Sequence, residues 1–525
     1  MTVARGTHAT GLLPRPGSRR WTGALCLIPA AVLGLLTLPW LYRDCVGDPD
    51  TLLMLSGVLE HPARADQWNL SHKYGVLFSW GYYWLLYHLP AHVRERGSSL
   101  IAAVNAIGWG SAVLACGALG WLMMRIHGLA DSLAVTIVVA FSPMVLELAT
   151  YGHPFMLSAS LLFGAGIVLM RQESLHGAAA LAALALTGVL LFASFAVRAD
   201  SVLALPWLAL VSRPGAAAGG RIRRVAVRGL VFCAAFGAFM WFQRGIAGEH
   251  GLVLKSVGAF FKSFYNPEGL LRGAVVLVLA SGLGLVLVGS ALTLRPWPNP
   301  DPARSVVPPF VLFGVALVFW LPNPTPSRHF FFALIALAEM FGLAAVRQLG
   351  TRRAVVLALA VVVVNQAGAE LLYRPIAQTY WPEGSGAQRM ATGSVTLGAS
   401  LPYHAAMRSV HGQLREEGRR LARVPDPEVV FLGDVDDYLV FALLERGGPR
   451  VWVETDEAGF WVTRIERAGQ TFHIVRRSRL RPNIAAEYLA ADPFPKAKIY
   501  VQPELRSTLA PIPPERLLTL PRAVE

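Results

Sequence analysis

The densest group of residues able to do acid–base or metal chemistry lies near the N-terminus, between two apolar stretches. It comprises Asp44, Asp48, Pro49 and Asp50, followed by Glu60, His61, Asp66, His72 and Lys73. A carboxylate held at a water interface can act as a general base or as a ligand for a hard divalent cation. Asp48-Pro49-Asp50 also reads as a helix start, with Asp48 as the N-cap, Pro49 at the first helical position and Asp50 in a first turn that favours anions. The two readings share one geometry, because a cap position fixes a carboxylate rigidly where a lipid headgroup would sit.

Other polar residues stand at the edges of apolar runs. His153 occurs in Tyr151-Gly152-His153-Pro154, where a capping histidine is one reading. Arg198 and Asp200 sit at the end of a run and read as an ion pair, since charges at membrane depth pair for want of water. Between Leu252 and Phe264 apolar residues recur at helical spacing beside Lys255 and Lys262, which fits an interfacial helix or a plain surface helix. Cys26, Cys45, Cys116 and Cys233 have no metal spacing and give no disulfide framework.

The elements that must position these residues follow from composition. Of 525 residues 54% are hydrophobic and only 15% charged, which excludes an ordinary soluble enzyme and makes a bilayer the natural solvent. The formal charge of +14 comes from arginines in short clusters between apolar runs, a topogenic pattern that excludes nucleic acid as the partner. The first run follows Arg15, Arg19 and Arg20 but spans about 20 residues without a small-residue cleavage site, so it is expected to be retained as an anchor.

Runs long enough to cross fall roughly at 21–42, 99–123, 129–149, 154–170, 177–196, 198–212, 227–245, 270–293, 306–322, 329–347 and 352–372, about eleven crossings. The run at 198–212 is short and contains Pro206, so re-entrance is open there. A further apolar stretch, 74–89, carries Tyr74, Trp80, Tyr82, Tyr83, Trp84 and Tyr87. If it crossed, the arginines of 213–228 and 347–353 would lie outside, against the positive-inside bias; it is expected to lie along the interface instead. The N-terminus is then cytoplasmic, residues 43–98 form a first external loop, and everything after about 372 is external.

That tail reads as a small α/β domain. A charged helix at about 403–423 precedes β-type runs at Val429–Leu432, Val451–Val453, Phe460–Val462, Phe472–Val475 and Ile499–Val501. The expected organisation is therefore a transmembrane domain, 1–372, and a C-terminal extracytoplasmic α/β domain, 373–525.

The order of these features carries a resemblance. A first span, then Asp48-Pro49-Asp50 and Leu52-Leu53-Met54-Leu55, then His72-Lys73-Tyr74 leading into an aromatic interfacial helix, resembles the first external loop of the GT-C superfamily of polyprenyl-phosphate-sugar-dependent glycosyltransferases. Within it the chain is most similar to the protein O-mannosyltransferase and aminoarabinose transferase branch, over roughly residues 20–375. It departs from that branch's His-Pro-Pro motif, since His72 is followed by Lys73 and Tyr74.

The resemblance implies a plasma (inner) membrane, multi-pass enzyme that moves a sugar from a polyprenyl-phosphate donor to a glycan, lipid or protein acceptor on the extracytoplasmic face. Asp50 or Asp48 would be the general base and the outcome inverting. It further implies donor-phosphate contacts from Arg328, Lys73, Arg198 and Lys255, with His153 and His72 as candidates to orient donor or metal. It leaves open whether a divalent metal is needed. The competing classes are a transporter or flippase for a lipid or polysaccharide, which would bury charges near mid-membrane and show paired repeats, and a non-catalytic envelope assembly factor that binds through its tail.

Overall fold

The computed structural model describes residues 23–47, 49–60, 76–212, 220–247, 274–275, 277–278, 281–293, 306–320, 330–380, 401–432, 436–445, 450–455, 461–475, 494–501 and 514–519. Among them seven helices are long and apolar enough to cross a membrane, and four shorter apolar helices accompany them. The chain is a polytopic helical membrane protein with a small C-terminal sheet.

The first span, Gly23–Trp40, contains α1 (Ile28–Thr37). Two first-loop helices follow, α2 (Pro49–Glu60) and α3 (Val76–Tyr87). The remaining long spans are α4 (Gly97–Ile126), α6 (Pro154–Gln172), α7 (Gly177–Val197), α9 (Arg221–Ala247), α12 (Phe331–Leu349) and α13 (Thr351–Tyr380). Shorter ones are α5 (Leu129–Ala140), α8 (Leu205–Leu210), α10 (Leu283–Thr293) and α11 (Val307–Trp320). Each run expected from composition thus has its helix, though not always an unbroken one.

The breaks have local causes. The run at 129–149 splits at Ser142-Pro143, where proline cannot continue a helix and the Ser142 hydroxyl accepts from the Val145 N–H at 3.3 Å to start the next one. The run at 270–293 breaks at Gly282, whose φ of +89° suits glycine. There Asn365 of α13 takes the place of the missing helical partners: its Oδ1 accepts from Leu285 N–H at 3.2 Å and its Nδ2 donates to Ser281 O at 3.4 Å. At the end of α8, the buried Arg228 donates to Leu208 O at 3.0 Å and Ala209 O at 3.1 Å and pairs with Glu173 at 2.7 Å, so its charge and these terminal carbonyls satisfy one another.

The aromatic helix α3 has 12 residues. At about 1.5 Å per residue it is roughly 18 Å long, too short for a hydrocarbon core of about 30 Å. Its aromatics are divided rather than all placed in the headgroup layer, as their amphipathic chemistry led one to expect. Tyr82 and Tyr83 are buried within the protein, whereas Trp84 is 58% exposed. Packing explains the division: α3 lies against α7, close enough at Gly81 that a Cβ there would stand 2.8 Å from the Ala196 carbonyl carbon.

The C-terminal unit pairs two helices, α14 (Leu401–Leu421) and α15 (Asp436–Leu444), with a six-stranded sheet. The strands are β1 (Glu428–Leu432), β2 (Arg450–Thr455), β3 (Trp461–Arg467), β4 (Gln470–Val475), β5 (Lys498–Val501) and β6 (Leu517–Thr519), in spatial order β2-β3-β4-β1-β5-β6. β1 runs parallel to β4 and β5, and β2-β3-β4 form an antiparallel edge. The helix and the first five strands match the expected pattern; α15 and β6 were not anticipated.

This unit is not a separate appendage. Leu439, Leu443 and Phe441 of α15 belong to the same buried apolar cluster as Leu52, Leu55 and Val58 of α2, and α15 packs on α2. The first loop and the tail therefore share one face of the membrane.

Candidate active site

The turn leading out of the first span is held by hydrogen bonds to the backbone of Tyr42, Cys45 and Val46. Tyr42 N–H donates to Thr150 O at 2.8 Å. Asn105, fully buried on α4, donates from Nδ2 to Tyr42 O at 2.8 Å and Cys45 O at 3.0 Å, and its Oδ1 accepts from Gly152 N–H at 2.8 Å. One amide side chain thus ties the first loop to the second, filling both its donor and its acceptor capacity.

Two glycines make the approach feasible. A Cβ at Gly152 would fall on the side chain and backbone of Val104, and one at Gly108 would stand 2.5 Å from Tyr151 O. Gly47 passes over the Tyr151 ring, where a Cβ would come within 2.7 Å of Cδ1. From this turn the chain enters α2 at Pro49, as the first-position preference of proline predicts, and Asp50 stands in the first helical turn.

Across the second loop, His153 is the N-cap of α6. It is buried, its backbone is extended, and its Nδ1 accepts from Phe155 N–H at 3.1 Å. The capping reading of this histidine is the one its geometry supports. Arg198, the C-cap of α7, pairs with Asp200 at 3.1 Å, and both side chains are nearly buried. The same guanidinium lies 5.7 Å over the ring of Phe155, which packs in turn on Phe331 and Phe332 at the start of α12. The ion-pair reading of Arg198 and Asp200 holds, and the pair is drawn into a rim that runs from the first loop through 150–155 to the start of α12.

Of the residues singled out by sequence, Asp50, His153 and Arg198 fall on this rim. Asp48, His72, Lys73, Lys255 and Arg328 lie outside the described residues. Among the described residues no three His, Cys, Asp or Glu side chains converge on a metal position. Asn105 was missed: an asparagine inside a 30-residue apolar helix is a signal in itself, because an amide in hydrocarbon must be satisfied by other parts of the chain.

The opposite side of the turn is covered by the C-terminal unit. Tyr438 of α15 donates its hydroxyl proton to Val46 O at 2.7 Å, and His411 Nδ1 lies 3.1 Å from the Tyr438 hydroxyl oxygen. Burial pushes the Tyr438 phenol well up and lowers His411 to about 4, so both are neutral at pH 7. Burial likewise raises the Cys45 thiol to about 12, which leaves it an inert packing residue. Arg415 donates to Ser98 Oγ at 3.1 Å and pairs with Glu445 at 2.8 Å, where α14 meets the start of α4.

No family model and no curated protein matches the sequence. Among solved structures, the fold is similar to the crystal structure of ArnT from Cupriavidus metallidurans bound to undecaprenyl phosphate, with a TM-score of 0.50 and 15% identity, covering 95% of this chain and 89% of that one. The apo structure of that protein aligns with a TM-score of 0.48 and 14% identity over 81% of this chain and 85% of that one. At such identity the likeness is one of fold. At that level it agrees with the polytopic helical fold expected from the sequence.

Proposed function

We propose that this protein is a glycosyltransferase that moves a sugar from a polyprenyl-phosphate donor to an acceptor at the membrane surface. The observation that carries the reading is the pinned first-loop turn. It holds the start of a carboxylate-bearing helix, in a fold similar over nearly its whole length to ArnT, a protein crystallised with undecaprenyl phosphate. In this mechanism Asp50 or Asp48 removes the acceptor hydroxyl proton as that oxygen attacks the anomeric carbon, and the bond to the phosphate breaks on the opposite face, giving inversion. A lipid phosphate leaves readily without protonation but gathers negative charge, for which Arg328, Lys73 and Lys255 are the proposed partners. Arg198 shares its charge with Asp200 and contributes less.

The proposed division is a transmembrane domain, 1–372, and an α/β domain, 373–525, with the N-terminus cytoplasmic and the domain outside the plasma (inner) membrane. A cysteine at position 92 and a tag after residue 400 are then expected to be labelled in intact cells, whereas a tag at 217 is labelled only after the membrane is opened. Labelling of 217 in intact cells would falsify this orientation.

A transporter reading has one specific observation in its favour, the fully buried carboxyl of Glu339 in α12. Its oxygens, however, accept from Trp207 Nε1 at 2.9 Å and meet His127 Nε2 at 2.7 Å, which is how a structural staple is built.

The deciding experiment supplies the purified protein in vesicles with a synthetic polyprenyl-phosphate sugar and measures free polyprenyl phosphate. Release of the phosphate supports the transferase; donor moved between leaflets with its glycosidic bond intact supports the transporter. In the same assay Arg328→Ala is expected to raise the donor concentration for half-maximal rate roughly 10- to 100-fold, the loss of a charge-assisted hydrogen bond of about 1.5–3 kcal/mol. An unchanged donor requirement would assign Arg328 to membrane anchoring.

A further inference from the structure

The carbonyls of the turn that precedes α2 are divided between two domains' worth of structure. Tyr42 O and Cys45 O are taken from the membrane side by Asn105, and Val46 O is taken from the other side by Tyr438, a residue 392 positions away. Val46 stands three residues before Pro49, the first residue of α2, and two and four before Asp48 and Asp50 in sequence.

The Tyr438 side chain is itself fixed. It is 1% exposed, and a phenol has one proton, which goes to Val46 O. His411 Nδ1 must then be the donor to Tyr438 Oη, which selects the Nδ1–H tautomer of a neutral imidazole. Around this pair Cys45 Sγ donates to Arg408 O at 3.7 Å, and Gly97 approaches Glu445 so closely that a Cβ would overlap its carboxyl. The α14–α15 pair is thus seated on the loop by contacts on both sides of Tyr438.

We infer that Tyr438 is a positioning residue for the carboxylate-bearing start of α2: its hydrogen bond to Val46 holds the turn from which that helix begins. The inference rests on the transferase reading above. It assigns the C-terminal unit a role in the transfer step itself, beyond binding an acceptor. Truncation of the hydroxyl alone, Tyr438→Phe, keeps the buried ring and removes the bond to the turn together with the acceptor of His411 Nδ1–H.

The test uses the full-length protein in nanodiscs and reads two quantities. Backbone hydrogen exchange over residues 42–55 is expected to quicken roughly 3- to 10-fold in Tyr438→Phe, the size of effect that losing one intramolecular hydrogen bond gives. Turnover with the polyprenyl-phosphate sugar is expected to fall roughly 10-fold, with the half-saturating donor concentration unchanged, because the group displaced acts in the transition state and not in donor binding. Tyr500→Phe serves as the control. It removes a partly buried hydroxyl bond, to Asp426, from the same unit but away from the loop, and neither quantity is expected to change. Exchange at wild-type rates, or faster exchange with full turnover, overturns the inference. If Asp48→Asn and Asp50→Asn both transfer sugar at the wild-type rate, the parent mechanism fails and the inference with it. The exchange measurement distinguishes that failure, because it reports on the turn without reference to any reaction.

Discussion

Asp50→Asn is expected to insert, fold and bind donor normally while losing transfer by roughly two to four orders of magnitude, the range of a general base removed from a transition state. Asparagine is the diagnostic replacement because it is nearly isosteric and caps helices about as well as aspartate, yet cannot accept the acceptor's proton. Asp48 precedes Pro49 and so has the capping position to fill, whereas Asp50 stands in the first turn of α2 with no cap to supply. The Asp48→Asn variant is therefore expected to show the milder defect. If both carboxylates were only caps, the two Asn variants would cost a few tenths of a kcal/mol at most and transfer would persist. Full transfer by both would remove the pair from the mechanism and return attention to Asp44, Asp66 and His153.

Glu339→Leu is expected to destabilise the membrane domain by about 2–4 kcal/mol, because it leaves the buried Trp207 Nε1–H and one His127 ring nitrogen without their partner. The bonds it breaks, at 2.7 Å and 2.9 Å, tie together three elements far apart in sequence: the end of α4, α8 and α12. The double variant Glu339→Leu with His127→Leu separates this account from simple overpacking. Removing both partners leaves fewer orphaned groups, so its cost is expected to be smaller than the sum of the two single costs by about 0.5–3 kcal/mol. Unfolding in mixed micelles with increasing SDS measures each. Strictly additive costs would show that the pair contributes nothing as a pair.

The parts of the molecule legible in the sequence are those fixed by local composition. A run of about 20 apolar residues has few options in a hydrated cell other than a membrane helix, so every span expected from hydropathy has a helix at its place. The short apolar β-type runs after residue 428 and the helix before them are likewise local, and they appear in the sheet and in α14, although the third strand runs on to Arg467. Pro49 marks the start of α2 because a missing N–H and a fixed φ suit only the first helical position. The run left open as re-entrant, 198–212, was marked by Pro206, which accompanies the short α8, whereas the break at Pro143 in the 129–149 run was not expected.

What the tertiary structure decided is how the carboxylate-bearing turn is held, and the reason is distance along the chain. Asn105 reaches residues 63 and 47 positions away, and Tyr438 reaches Val46 across most of the protein. Neither side chain has a neighbour in sequence that announces its partner. Glu339 is a similar case, a single acid in an apolar run whose acceptors' needs come from His127 and Trp207. The aromatic helix α3 shows the converse. Its residues alone suit a headgroup layer, but the backbone approach at Gly81 turns Tyr82 and Tyr83 into packing residues. Composition determined which segments are apolar helices and which form the sheet; only the folded arrangement, through buried polar groups that must find partners wherever the chain brings them, determined that the tail and the first loop pack together.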